Sequence, residues 1–158
     1  MVTAALRTPE SEVEPGPVPH VAFMMGNLHT GGVQRMTTLI AEGLAAQGAN
    51  VDLVACDAKG GLKEHLPPSL RLIELEPSNP VGARVAVLRS DPHGFTAYLR
   101  PLLTIKYASP TLAYLPAMAD YLRTSRPDSV FSATTYLNIE TVLAKRLAAV
   151  PSRLVISD

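Results

Sequence analysis

The chain has 158 residues, 47% of them hydrophobic and 18% charged, with a formal net charge of +0. That length suits one domain with a real core. The balanced charge, the absence of Trp and the few aromatics argue against a nucleic-acid partner.

Residues 1–19 are rich in Pro and Glu, lack apolar periodicity and predict a flexible tail. His20 to Met25 is an apolar run, as expected of a strand buried on both faces of a parallel sheet. A polar loop follows, and then a helical pattern with Val33, Met36, Ile40 and Leu44 in phase and Gly48 as its stop. Val51 to Cys56 reads as a second strand, which completes about one βαβ unit. Cys56 is the single cysteine, so the chain has neither an intramolecular disulfide nor a multi-cysteine metal site, and a buried thiol is expected. After "DAKGGLKEHLPPS", Leu70 to Leu75 reads as a third strand, with Pro67 and Pro68 keeping the linker out of a helix.

Pro77 to Pro110 is a basic, moderately apolar segment that carries Arg84, Arg89, Arg100 and Lys106 against the acid Asp91. Short helices are expected there. Its stretch 81–106 is a candidate contact for an anionic membrane surface. Thr111 to Ser125 is a predicted helix with Leu112, Leu115, Ala119 and Leu122 on one face and Pro127 beyond its end. Ser129 to Thr134 is a fourth strand. Asn138 is placed to cap a helix from near Ile139 to about Ala149, and Arg153 to Ser157 is a fifth strand. There is neither a signal peptide nor a spanning run, so a cytoplasmic setting is the default, with peripheral contact on the inner face of the membrane as the variant.

Alternating strands and helices predict a doubly wound, mostly parallel, Rossmann-like α/β sheet in the order 3-2-1-4-5. In such a sheet the order reverses between strands 1 and 4, and ligands bind outside the carboxyl ends at that point. The loops Gly26–Arg35 and Thr134–Asn138 flank it.

The first loop, "GNLHTGGVQR", puts two glycines at a helix mouth, where unpaired N–H groups attract phosphate. Gly31 and Gly32 would leave that approach open, or they simply make the turn; both readings stand. Thr30 would cap the helix or offer a hydroxyl, and Arg35 would pair with a phosphate. Asn27 and His29 precede the glycines, and Thr134, Thr135 and Asn138 on the second loop suit sugar hydroxyls. The loop is neither a Walker A motif nor G-x-G-x-x-G, which disfavours a nucleotide oxidoreductase. No His/Cys/Asp cluster has metal-ligand spacing. Glu140 and Asp158 are the carboxylates nearest the predicted crevice, and they form no evident acid–base pair.

The stretch "HVAFMMGNLHTGGVQRMTTLIAEGLAAQGANVDLVAC" resembles the opening of family 4 glycosyltransferases of the GT-B fold. Gly31-Gly32-Val33-Gln34-Arg35 is similar to their "GGVER" loop, with Gln34 in place of Glu. "RPDSVFSATTYLN" and "RLVISD" resemble the family's fourth and fifth strands, so the resemblance covers about residues 20–158. It implies transfer of a sugar from a nucleotide-sugar donor to a sugar or lipid-linked acceptor, with retention at the anomeric carbon and no further cofactor or metal. It implies an acceptor-side domain over 20–158. Gly31, Gly32 and Arg35 would touch the donor diphosphate; Asn27, His29, Thr30, Thr134, Thr135 and Asn138 would meet the acceptor. The catalytic residues stay unassigned. Most of the donor site would lie in a second domain beyond this chain, or in a separate catalytic subunit, so the chain alone is expected to be inactive. The alternative is a non-catalytic Rossmann-like module that docks on a catalytic partner.

Overall fold

The computed structural model describes residues 17–90 and 110–157. Most of the 1–19 tail, together with Asp91, Arg100, Lys106 and Asp158, therefore lies outside the described residues. Five strands make one parallel sheet: β1 (His20–Asn27), β2 (Asn50–Asp57), β3 (Arg71–Glu74), β4 (Ser129–Ala133) and β5 (Arg153–Ser157). Their order is β3-β2-β1-β4-β5, as the strand and helix alternation predicts. The described helices are α1 (Gly32–Ala46), α2 (Pro80–Ser90), α3 (Leu115–Ser125) and α4 (Thr135–Ala148).

Period-two alternation along each strand divides the core between two faces. Met24, Val54, Cys56 and Val130 pack with Ala86 and Val87 of α2, Leu115, Met118 and Leu122 of α3, and Leu143 and Ala144 of α4. Phe23, Met25, Leu53 and Ala55 turn to the other face, against Ala41, Leu44 and Ala45 of α1. Phe131 joins that second face, with its ring centroid 5.2 Å from that of Phe23. β5 is an edge strand, and its Val155 and Ile156 are exposed.

The apolar phase that announces α1 is only partly its buried phase: Leu44 packs on the core, but the three residues before it in phase do not. Thr37, Thr38 and Ala41 are buried, whereas Val33, Met36, Leu39 and Ile40 are exposed. Close helix-to-sheet approach favours the small residues: the Thr38 hydroxyl bonds back to the Gln34 carbonyl at 2.9 Å, so burying it leaves no donor unanswered. On α3, Leu112, Leu115, Ala119 and Leu122 are buried as the spacing predicts, although residues 112–114 form a 3-10 turn and the α-helix proper starts at Leu115, just before Pro116. α4 starts four residues earlier than the Asn138 cap would allow.

Candidate functional site

The carboxyl ends of β1, β2 and β4 open on a shared mouth. Its first wall is the loop from β1 to α1. Gly31 is the N-cap residue of α1, with φ −127° and ψ 165°, which is extended backbone open to any residue. Gly32 is likewise absent from the positive-φ residues. A Cβ on Gly32 would meet nothing within 4 Å, and one on Gly31 would meet only the flexible Gln34 amide. The backbone of the turn therefore does not itself demand glycine at these two positions, although a Cβ on Gly31 would displace the Gln34 amide. No side chain caps α1, and no acidic residue stands in its first turn, so its N-terminal field is not offset locally. Thr30 is exposed and is not the cap, which corrects the capping expectation.

The loop is held from beneath. Asn27 Oδ1 accepts from the His29 N–H and from Gln34 Nε2, both at 3.1 Å. Leu28 is fully buried; its N–H donates to the Lys59 carbonyl and its carbonyl accepts from the Leu62 N–H. Gly60 makes that clasp possible, because at φ 138° a Cβ there would sit 2.1 Å from the Leu28 carbonyl oxygen. The second glycine pair of the chain, Gly60-Gly61, thus supports the loop that carries the first.

The opposite wall is the β4–α4 junction. Thr134 has φ 88° and ψ 135°, a region that a β-branched residue rarely enters. Its carbonyl accepts from the Asn138 N–H at 2.9 Å. Asn138 lies inside α4 and is nearly buried. Its Oδ1 accepts from Ser132 Oγ at 2.7 Å and its Nδ2 donates to the Ser157 carbonyl at 2.8 Å. It ties α4 to β4 and β5, so neither the capping role nor the acceptor role expected of it fits.

Between the walls lies a cavity of about 290 Å³, lined by Gly26, Asn27, His29, Asp57, Pro110, Thr111, Tyr114, Thr134, Tyr136 and Leu137. A groove of about 100 Å³ adjoins it, lined in part by Asn27, Val33, Gln34, Thr37 and Thr134. Three expected residues, Asn27, His29 and Thr134, come together in the larger space, and Asn27 and Thr134 border both. Gly31, Gly32, Thr30, Arg35 and Thr135 line neither; they stand on the mouth around them. Glu140 is 1% exposed and belongs to the interior beneath the site, not to the crevice.

Asp57, Tyr114 and Tyr136 are among the lining residues to which the sequence reading gave no site role. Asp57 ends β2 next to the first loop, and the register Asn27↔Asp57 could have singled it out. One Asp57 oxygen accepts from the Lys59 N–H at 3.1 Å. Burial pushes the Tyr114 hydroxyl pKa up, and the nearby Asp57 charge adds to the rise. Burial also pushes the Cys56 thiol well above its ordinary range, with Glu140 and Asp57 adding to the effect, so Cys56 is an inert structural thiol. Among the described residues there is no His/Cys/Asp/Glu group able to hold a metal ion.

A parallel sheet in this order, with its polar mouth at the switch point, is a Rossmann-like α/β fold. Residues 31–157 match the model of the glycosyl transferase 4-like domain. The chain belongs to that family. Among solved structures it is similar to the glycosyltransferase SnogD from Streptomyces nogalater, at 16% identity and a TM-score of 0.46. That match covers 90% of this chain and 45% of SnogD, so the chain spans less than half of that structure. No curated protein matches it.

Proposed function

We propose that this chain is the acceptor-side half of a retaining glycosyltransferase that uses a nucleotide-sugar donor. The family match over residues 31–157 carries the reading. The open α1 N-terminus beside a polar cavity supports it, because a diphosphate and an acceptor hydroxyl must meet within one site. In this reading Gly31, Gly32 and Arg35 face the diphosphate, and Asn27, His29 and Thr134 face the acceptor. A second domain or chain supplies the grip on nucleotide and donor sugar, since cavities of about 290 and 100 Å³ are too small for a whole nucleotide sugar.

Titration calorimetry of this chain alone with UDP-glucose and GDP-mannose tests the division of labour. The expected result is no micromolar binding; micromolar binding would place the donor site within this chain and overturn the split.

α2 exposes Val81, Arg84, Val85 and Leu88, spaced one turn apart, with Arg89 beside them. That mix suits the surface of an anionic bilayer and a lipid-linked acceptor at the inner face of the cytoplasmic membrane. Co-sedimentation with phosphatidylglycerol vesicles at low salt, lost at high salt, is the expected behaviour. No helix among the described residues is long and apolar enough to cross a membrane.

The exposed stripe Val33, Met36, Leu39 and Ile40 on α1 favours a second reading, a non-catalytic module docked on a catalytic partner. Sugar transfer by a complex of this chain with a donor-binding half separates the two. Activity lost when Gly31 and Gly32 are both replaced by Val supports the enzyme, and activity indifferent to that change supports the module.

A further inference from the structure

We infer that the cavity of about 290 Å³ takes a single sugar ring that is uncharged or carries an amine, and that it turns away rings bearing phosphate or carboxylate. This rests on the acceptor-side reading above and names the ligand class for that site. The cavity lies at the small end of the roughly 300–1,000 Å³ typical of small-molecule sites, which suits one ring and not a chain of them.

The lining matches a pyranose. Tyr136 is 62% exposed, and Tyr114 is partly buried on the α3 side of the same space. Their ring faces offer apolar surface to the C–H side of a sugar. Asn27, His29 and Thr134 offer polar groups to its hydroxyls. Asp57 supplies a carboxylate with about four acceptor positions, and the Lys59 N–H takes only one of them.

Charge then selects among sugars. Asp57 is the one carboxylate among the described lining residues, and neither Lys nor Arg stands with it. Arg35, the cation of the glycine loop, lies outside this cavity on α1. A phosphate or carboxylate on the ring would meet Asp57, and none of the described lining residues is a Lys or Arg able to offset the repulsion. A protonated amine would pair with it, and a neutral hydroxyl would donate to it. The site thus sorts charge in space, with anion affinity at the α1 mouth and anion exclusion in the cavity.

Two-dimensional amide NMR of the 158-residue chain tests this with methyl glucoside, glucosamine at a pH where its amine is protonated, glucuronate and glucose 6-phosphate. The first two are expected to shift resonances around Asp57, Tyr114 and Tyr136, and the two anions to bind at least about tenfold more weakly. Asp57→Asn should bring the anions to within about threefold of methyl glucoside, by removing the like charge. Tyr136→Ala, at an exposed position, should weaken all four. Anions that bind as well as methyl glucoside, a ranking unchanged by Asp57→Asn, or no sugar-induced shift at these residues would overturn the inference. UDP-glucose in the same experiment reports on the wider reading. At millimolar concentration, well above the micromolar range of the calorimetry, shifts at Gly31 and Gly32 while the sugars fail would remove only the ring assignment; no shift there together with failure of the sugars would remove both.

Discussion

The two ends of this sheet treat polar groups in opposite ways. At the amino ends, Asp52 of β2 is 2% exposed and answered from three elements. Arg71 of β3 donates to it twice at 2.7 Å, Tyr121 of α3 donates at 2.5 Å, and the His20 ring of β1 lies 2.9 Å away. At the carboxyl ends, α1 starts without a side-chain cap, Thr134 sits in a strained conformation, and a carboxylate and two phenols line an open cavity. A polar network whose members answer one another specifies structure, although His20, Asp52 and Arg71 also line a cavity of about 350 Å³; polar groups left facing a cavity without such answers are open to recognition. The contrast supports a structural role for the first end and the proposed binding role for the second.

The largest effect is expected at the closed end. Asp52→Ala leaves the Tyr121 hydroxyl buried without its acceptor, the Arg71 guanidinium without its anion and the His20 ring without its partner. A loss of about 3 kcal/mol in urea denaturation is expected, near the low end for a broken buried ion pair because Arg71 reaches solvent. Sugar and phosphate binding at the other end should not change. The pH dependence gives the same test from another side. Burial is the largest influence on Asp52 and opposes its charge, but hydrogen bonds from Arg71, Tyr121 and His20 together prevail and hold its pKa at about 2, against an ordinary 3.8. A carboxylate with a depressed folded-state pKa contributes stability above its unfolded value and loses it as pH falls. Stability should therefore decline between about pH 4 and pH 2, and Asp52→Asn should flatten that decline. An unaltered acid limb would show that other groups govern acid unfolding.

Gly60→Ala should rank next, and it breaks the contrast in a different place. The new Cβ would press on the Leu28 carbonyl, which is backbone and has no rotamer to yield, at a φ that disfavours any side chain. A cost of about 2–3 kcal/mol is expected from strain and the lost clasp. Amide shifts should spread to residues 28–32. Shifts confined to residues 59–62 would mean that the first glycine loop does not depend on the second.

Much of this division was legible in the sequence. Apolar runs and helix stops mark all five strands, and the order 3-2-1-4-5 follows the doubly wound pattern expected of alternating strands and helices with right-handed crossovers. The side-chain phase of α1 was not legible: Val33, Met36 and Ile40 are as periodic as a core stripe, and only the close packing of Thr37, Thr38 and Ala41 on the sheet shows which stripe is inside. Asn138 was read as a cap because its residue type suits caps, and its partners Ser132 and Ser157 come from two other strands. Asp57, Tyr114 and Tyr136 are far apart in sequence and form a cavity lining only through topology.

Thr134→Gly should have a smaller effect, of opposite sign for stability. Glycine relieves the positive-φ strain but costs backbone entropy, so a net gain of about 1 kcal/mol is expected by thermal or urea unfolding. Methyl glucoside binding should fall in the same variant, because Thr134 lines both cavities. A gain in stability with binding retained would show that the strain serves no ligand and would blur the contrast between the two ends.

The smallest expected effect tests the glycine pair itself. Gly32 is the first residue of α1, its backbone does not require glycine, and a Cβ there meets open space. Gly32→Ala should therefore leave stability unchanged or raise it by up to about 0.5 kcal/mol, since alanine is the better helix former. If the only demand on this position is the fold, the substitution is harmless in every assay. If the demand is a phosphate approaching the first amides of α1, the methyl group obstructs it, and the UDP-glucose shifts at the loop should shrink while the protein grows no less stable. A loss of ligand response without a loss of stability separates recognition from folding at a single carbon atom, and an undiminished response would return the pair to the role of ordinary loop residues.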